Sequence, residues 1–159
     1  MRWQGRRPAA SRLGDPVTVR PWNADDADVV ELPSGRRVRA RSLRQRGGPH
    51  PSFGVYLSWR RPRGLEWEHR WIRCPDFWVP DDVPAFMDAI EELRSRSVHE
   101  PVEVGCPGGV GRTGLALAAL AILDGVPPAQ AVEWVRQRHH PRSVETPWQR
   151  HWLLGLPRS

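Results

Sequence analysis

The most informative absence in this chain of 159 residues is lysine, because all 24 of its Lys and Arg side chains are arginine. Without lysine the chain lacks the lysine-containing nucleotide loop, the Schiff-base lysine and the lysine general base. No apolar run of about 15 residues follows the N-terminal arginines, so we expect neither a signal peptide nor a membrane span. The chain has only two cysteines. With no secretory signal, they favour a reducing, cytoplasmic compartment.

The residues that are present suffice for one folded domain. Hydrophobic residues make up 39% of the chain, and nine of them are tryptophan. Side chains of this size supply a core. Residues 1–28 are rich in arginine and proline without apolar periodicity, which predicts a poorly ordered N-terminal arm. Residues 29–159 are predicted to form a single domain.

The charge of the chain is unevenly distributed. Residues 1–73 hold 16 Arg and seven acidic residues, a net +9, whereas residues 74–159 hold eight Arg and 11 acidic residues, a net −3. An N-terminal excess of this kind is compatible with a polyanion partner. A solvated, arginine-rich surface is the favoured interpretation, and a nucleic-acid partner stays open beside it.

Hydrophobic periodicity predicts strands in the first half of the chain and mainly helices in the second. A turn at residues 33–35 between two extended segments predicts a β-hairpin, and the continuous apolar run at 102–106 predicts a buried central strand. The apolar residues of 113–123 cover every face, which is typical of a core helix. The predicted strands are 29–32, 36–41, 53–59, 67–72 and 102–106, and the predicted helices are 83–97, 113–123, 127–139 and one beginning at Thr146-Pro147.

The segment between the central strand and the core helix has the composition of a phosphate-binding loop. Its glycines let backbone N–H groups converge, and the helix N-terminus adds partial positive charge. The same field favours a thiolate at Cys106. Arg112 supplies a planar fork that matches two phosphate oxygens, and Thr113 a hydroxyl that can donate to the thiolate. The sequence of the loop is Cys106-Pro107-Gly108-Gly109-Val110-Gly111-Arg112-Thr113.

This loop resembles the signature of the cysteine-dependent protein tyrosine phosphatase superfamily, which is Cys, five residues, Arg and then Ser or Thr. The resemblance implies an α/β fold with a central mixed β-sheet flanked by α-helices, as in tyrosine and dual-specificity phosphatases. It also implies that Cys106 is the nucleophile and that Thr113 stabilises it as a leaving group. The phosphate would be bound by Arg112 and the loop residues Pro107, Gly108, Gly109, Val110 and Gly111.

Two further segments resemble the same family and follow its order. Residues 74–80, Cys-Pro-Asp-Phe-Trp-Val-Pro, are similar to its acid loop, Trp-Pro-Asp-x-x-x-Pro, which implies that Asp76 is the general acid. Residues 146–150 are similar to the segment that carries a water-orienting glutamine, which implies that role for Gln149. The alternatives are a turn residue for Asp76 and a surface-helix residue for Gln149.

The chain also departs from the family pattern at three places. Gly105 stands where the family usually has a histidine that supports the nucleophile, and Cys74 replaces the tryptophan of the acid loop. Tyr56 is the only tyrosine, and its position in a strand argues against a role in clamping phosphotyrosine. Cys74 further suggests a reversible disulfide with Cys106. A small buried side chain at Cys74 is the favoured alternative.

Together these features predict a phosphomonoester hydrolase, a protein tyrosine or dual-specificity phosphatase that forms a cysteinyl-phosphate. The expected substrate is a phosphorylated protein or peptide, and the enzyme is expected to be a monomer without membrane insertion. No metal or organic cofactor is implied, and the adjacent His139 and His140 predict a polar helix end. The alternatives are an RNA 5′-end or phosphoinositide phosphatase on the same fold, a sulfurtransferase or arsenate reductase, and a catalytically weak phosphate-binding module.

Overall fold

A computed structural model describes residues 19–45 and 47–157, and its centre is a five-stranded sheet. The strands are β1 (Val29–Glu31), β2 (Arg37–Ser42), β3 (Phe53–Ser58), β4 (Glu68–Arg73) and β5 (Val102–Cys106). Their order is β1-β2-β5-β3-β4, with β1 antiparallel to β2 and the other pairs parallel. The predicted mixed sheet is confirmed, and β5 lies at its centre as its apolar sequence indicated.

Four helices accompany the sheet, namely α1 (Val83–Arg96), α2 (Gly111–Leu123), α3 (Pro128–Arg138) and α4 (Pro147–Leu154). Asp82 caps α1 by accepting the Ala85 N–H at 3.0 Å. Helix α2 begins two residues earlier than predicted because the end of the glycine-rich loop already has helical backbone. None of the helices in the described part of the chain has both the length and the apolar composition to cross a membrane.

The hydrophobic core lies between the sheet and the helices. Helices α1 and α2 pack against β3 and β5, and α3 and α4 pack against α2. Because α2 has neighbours on all sides, residues 111–122 are all buried, which confirms the predicted core helix. The sheet contributes alternate side chains to this core, namely Val38, Ala40, Phe53, Val55, Leu57, Ile72, Val102 and Val104.

The opposite face of the sheet carries a buried polar network. Arg39 Nε donates to Glu103 Oε2 at 2.7 Å, and Tyr56 Oη donates to Glu103 Oε1 at 3.0 Å. Burial, together with the charge of Glu103, raises the pKa of Tyr56. The Trp22 ring covers the Arg39 guanidinium at 4.3 Å, and its Nε1 donates to the Val102 carbonyl at 2.8 Å. Removing one member would leave a buried charge without its partner, so the network ties the strands together.

The predicted N-terminal arm, residues 1–28, falls partly outside the described residues. Residues 1–18 belong to that undescribed part. Within the rest of the arm, Trp22 is only 7% exposed and packs on the sheet. This part of the chain therefore differs from the loose segment that its composition suggested, because one indole supplies the apolar surface that holds it to the domain.

Candidate active site

Cys106 ends β5 at the start of the predicted phosphate-binding loop. Its Sγ accepts the Gly109 N–H at 3.2 Å and the Thr113 hydroxyl at 3.0 Å, and both residues are buried. The loop turns at Gly109, whose φ of +74° is favourable only for glycine. Two donors aimed at one sulfur stabilise a thiolate more than a thiol. The structure thus brings Cys106 and Thr113 together as predicted.

The loop is held from outside by Ser42, which the sequence did not single out, and by His139, which was predicted only as a polar helix end. Ser42 Oγ donates to the Pro107 carbonyl at 2.6 Å, at the end of β2. At the end of α3, the Nε2 of His139 lies 2.9 Å from the carbonyl of Gly109. Burial lowers the pKa of His139, which favours the neutral imidazole that donates to this carbonyl through Nε2. His139 is therefore a support of the phosphate loop rather than only a polar helix end.

Gly105 replaces the family's histidine because the neighbouring strands leave no space for a side chain. A Cβ atom on Gly105 would lie 2.9 Å from the Arg41 carbonyl oxygen and 3.0 Å from Cδ1 of Tyr56. The Tyr56 ring thus occupies the space beside the residue that precedes the nucleophile. Any side chain at position 105 would overpack this region.

Arg112 joins the phosphate loop to the predicted acid loop. Its guanidinium is buried, Nη1 donates to the Cys74 carbonyl at 2.9 Å, and Nη2 lies 3.7 Å from Asp76 Oδ1. The Asp76 side chain is 59% exposed at the mouth of the pocket. Phe77 follows it with a φ of +59°, and the Phe77 N–H donates to Asp76 Oδ1 at 3.1 Å. A positive φ is rare for an aromatic residue, and here this backbone conformation directs Asp76 towards Arg112.

The first turn of α4 holds the acid loop in place. Trp148 Nε1 donates to the Phe77 carbonyl at 2.6 Å, and Gln149 Nε2 donates to the Trp78 carbonyl at 2.8 Å. The other end of the Gln149 amide accepts the N–H groups of Glu145 and Thr146 at 2.8 and 3.0 Å. Gln149 is fully buried. Its predicted water-orienting role does not fit this geometry, because both ends of the amide are engaged in capping α4 and holding the loop.

Cys74 is a buried, free thiol at the start of the acid loop. Its Sγ lies 3.7 Å from the carbonyl oxygens of Pro75 and Trp78. Burial raises the pKa of Cys74 to about 12. Since thiol–disulfide exchange needs a thiolate, these surroundings favour the small buried side chain over a resolving cysteine. The disulfide with Cys106 stays a hypothesis.

These loops enclose a pocket of about 200 Å³ whose floor holds Cys106. Arg112 and the loop residues Pro107, Gly108, Val110 and Gly111 line it, together with Asp76, Phe77, Arg44 and Glu145. The sequence-based prediction missed three of these residues, namely Phe77, Arg44 and Glu145. Phe77 lies in the acid loop, residues 74–80, and Glu145 directly precedes the glutamine segment, residues 146–150, so their position beside the key residues was the available signal. Arg44 follows β2, and no motif or spacing in the sequence marked it as a site residue.

The chemistry of the pocket is that of a nucleophilic site for an anion. A buried sulfur lies among backbone and hydroxyl donors, an arginine supplies a fork of N–H groups, and a carboxyl group lies at the mouth. Among the described residues, no group of three or more His, Cys, Asp or Glu side chains is placed to hold a metal ion. Fold and site together define the class of cysteine-dependent phosphatase-like α/β proteins.

Comparison with known families gives the same result. The protein-tyrosine phosphatase family model matches residues 58–149, which is more than half of the chain and includes the acid loop, the phosphate loop and Gln149. The chain therefore belongs to the protein-tyrosine phosphatase family.

Individual relatives cover the chain to different extents. It is 32% identical over 87 residues to human tyrosine-protein phosphatase non-receptor type 4, an alignment that spans 50% of this chain and 9% of that protein. It is 32% identical over 104 residues to an uncharacterized protein of Methanocaldococcus jannaschii, which spans 55% of this chain and 63% of that one. The crystal structure of Tk-PTP in its active form superposes with a TM-score of 0.61 at 21% identity, covering 80% of this chain and 94% of Tk-PTP. The last likeness confirms the fold.

Proposed function

We propose that this protein is a phosphomonoester hydrolase that acts through a cysteinyl-phosphate intermediate, as a protein tyrosine or dual-specificity phosphatase. The observation that carries the proposal is the Cys106 sulfur, which accepts two hydrogen bonds in a pocket shared with Arg112 and Asp76. A module that only binds phosphate would use Arg112 but would need neither Cys106 nor Asp76. The complete arrangement thus supports an enzyme over the binding-module alternative.

In the first step, the Cys106 thiolate attacks phosphorus and the bond to the leaving oxygen breaks. Arg112 and the N–H groups of the loop bind the nonbridging oxygens, where negative charge is spread in the transition state. Asp76, at the mouth of the pocket, gives its proton to the departing oxygen. The products of this step are the free alcohol or phenol and cysteinyl-phosphate on Cys106.

In the second step, water attacks the phosphorus and the sulfur–phosphorus bond breaks. The electron pair returns to Cys106 Sγ, where the Gly109 N–H and the Thr113 hydroxyl stabilise it. The family resemblance assigns removal of the water's proton to Asp76, which is a carboxylate after the first step. Inorganic phosphate then leaves the loop.

The expected substrate is a phosphorylated protein or peptide. Phe77 lines the pocket and is 51% exposed, so an aromatic ring is available at the rim to contact a phosphotyrosyl side chain. Tyr56 does not have this role, because it is buried in the polar network on the sheet. Arg44 adds a cation beside the pocket that suits acidic residues next to the phosphorylated one.

We further propose that the enzyme acts as a monomer in the cytoplasm. Both cysteines are free and buried, which suits a reducing compartment. The arginine-rich surface needs no nucleic-acid partner in this proposal, since many of its arginines pair with acidic side chains of the same chain.

The test is hydrolysis of 4-nitrophenyl phosphate by the wild type and by Cys106→Ser, which differ by one atom. We expect the wild type to turn over and the serine variant to lose turnover, with an unchanged melting temperature. The serine variant should still bind inorganic phosphate, because the loop donors and Arg112 remain. Comparable turnover by the folded serine variant would contradict the mechanism.

A second measurement addresses the substrate. Wild type and Cys106→Ser are assayed on phosphotyrosyl, phosphoseryl and phosphothreonyl peptides, a phosphoinositide and a 5′-phosphorylated RNA. We expect Cys106-dependent hydrolysis to be fastest on a phosphopeptide. A clear preference for the lipid or the RNA would overturn the proposed substrate and favour one of the alternatives on the same fold.

A further inference from the structure

A second carboxyl group, that of Glu145, lies in the pocket with Asp76, and the mechanism proposed above gives it no role. Its side chain lines the same pocket as Cys106, Asp76 and Arg112. Glu145 lies just before α4, whereas Asp76 belongs to the acid loop after β4. The pocket therefore receives carboxyl groups from two separate parts of the chain.

Two glycines of α2 make room for the segment that carries Glu145. A Cβ atom on Gly111 would overlap the Glu145 carboxyl group, and one on Gly114 would overlap the Ser143 side chain. The carboxyl group thus lies directly over the first residue of α2, where the loop ends and the helix begins. Alanine, the residue that a helix interior favours, would push Glu145 away from the loop.

Arg136 and the backbone fix the same segment. Arg136 Nε donates to the Ser143 carbonyl at 2.9 Å, and its Nη2 donates to the Val144 carbonyl at 2.8 Å. Val144 is buried with a φ of +60°, a strained conformation for a β-branched residue. The Glu145 N–H donates to Gln149 Oε1 at 2.8 Å. Strain of this kind persists only where the surroundings determine it, and it clusters at functional sites.

The groups around Glu145 give its carboxylate the properties of a base. Several charged groups lie around it, and Cys106 shares the pocket. These charged groups are Asp76, Arg44, Arg112, Arg136 and Arg142. Burial, followed by the negative charge of Asp76, raises the pKa of Glu145, although Arg112 and Arg142 act in the other direction. A carboxylate with a raised pKa is a stronger proton acceptor.

The second half-reaction needs a group that binds the attacking water and accepts its proton. The pocket holds two carboxyl groups for this role, Glu145 and Asp76, to which the family resemblance gives the proton. The family resemblance assigns orientation of the attacking water to Gln149, but both ends of its amide are hydrogen-bonded to backbone groups. Asp76 Oδ1 accepts the Phe77 N–H and lies near Arg112, whereas no N–H or O–H donor of the described residues hydrogen-bonds to the Glu145 carboxyl group.

We propose that Glu145 is a catalytic residue of the second half-reaction, in which its carboxylate binds the attacking water and takes its proton. The oxygen–phosphorus bond then forms while the sulfur–phosphorus bond breaks, and the electron pair returns to Cys106. The proton ends on Glu145, and phosphate is released. This assignment rests on the proposed function, because it concerns the breakdown of the cysteinyl-phosphate.

The test separates the two half-reactions in the full-length chain. With 4-nitrophenyl phosphate, rapid mixing follows nitrophenol release, and acid quench with mass spectrometry follows the phosphorylated Cys106. In Glu145→Gln we expect an unchanged first step, accumulation of cysteinyl-phosphate and at least about a tenfold slower second step. Glu145→Asp, which keeps the carboxylate, should recover part of the loss. Glu91→Gln, an exposed glutamate of α1, is the matched control with wild-type rates.

A pH profile adds a measurement that a merely structural role would not change. The second step of the wild type should accelerate with rising pH as Glu145 loses its proton, and Glu145→Gln should lack this dependence. Equal slowing of both steps, equal rates in the aspartate and glutamine variants, or an unchanged second step in Glu145→Gln would each overturn the assignment. Absence of any cysteinyl-phosphate in the wild type would instead overturn the proposed function.

Discussion

The two loops that meet at Arg112 are built in different ways. The phosphate loop, residues 106–112, lies between the central strand and the core helix, and its hydrogen bonds join it to the buried Thr113 and to the partly buried Ser42 and His139. The acid loop, residues 74–80, lies at the surface, with Phe77 and Trp78 about half exposed. Side chains of α4 hold it by single hydrogen bonds to its carbonyl groups.

The difference indicates that the proposed phosphate-binding loop and the proposed proton donor, Asp76, have separate structural supports. Moving the phosphate loop would disturb β5 and α2, so its opening is coupled to that of the core. The acid loop is attached to α4 and to Arg112 by a few side-chain hydrogen bonds, so a change in one of them should affect this loop more than the core. Substitutions in the two loops should therefore affect different kinetic parameters.

The largest effect is expected for Arg112→Lys, because this arginine touches both loops. Lysine keeps the charge but loses the fork that binds two phosphate oxygens and the bond to the Cys74 carbonyl. We expect kcat/KM on an aryl phosphate to fall on the order of 1,000-fold, with weaker binding of inorganic phosphate. Arg138→Lys, on the surface of α3, is the control. If the Arg112 variant kept near-normal kcat/KM, charge alone would account for its role.

The next effect is that of Asp76→Asn, which alters the acid loop only. Asparagine cannot protonate the leaving oxygen, so kcat should fall about 100-fold while phosphate affinity is retained. The loss should be larger for an alkyl phosphate than for 4-nitrophenyl phosphate, whose leaving group needs little protonation. Asp88→Asn, exposed on α1, should behave as wild type. An equal loss on both substrates would mean that Asp76 is not the acid.

The smallest effect is expected for Trp148→Phe, which removes one hydrogen bond from the acid loop. The lost bond joins Trp148 Nε1 to the Phe77 carbonyl, and a bond of this kind contributes about 1 kcal/mol. We expect kcat to fall a few-fold, with an unchanged KM for the aryl phosphate and little change in melting temperature. Trp134→Phe on α3 is the control. A change in phosphate affinity with constant kcat would show that α4 supports the phosphate loop instead.

The sequence predicted the local elements well because their patterns are local. Alternation and apolar runs indicated the five strands, and the apolar residues around 113–123 indicated a buried α2. The chemistry of Cys106 and Arg112 was also predictable, since a glycine-rich turn between a buried strand and a helix creates an anion site by itself. Their geometry agrees with that prediction.

The contacts of Gln149, His139 and Trp22 could not be predicted from the sequence, because each depends on a distant partner. Gln149 contacts Trp78, His139 contacts Gly109, and Trp22 contacts Val102, all far apart along the chain. No periodicity encodes such contacts. Glu145 was missed for the same reason, since its place over Gly111 follows from the packing of α4 on α2.

By itself, the sequence determined the order of strands and helices along the chain, the glycine-rich loop and the cysteine proposed as its nucleophile, because each follows from residues within one turn or one strand of each other. Only the tertiary structure decided why residue 105 is glycine, what holds the acid loop and which second carboxyl group enters the pocket. These features depend on contacts between segments that are far apart in the sequence. The Tyr56 ring fills the space beside Gly105, and the Glu145 carboxyl group fills the space over Gly111.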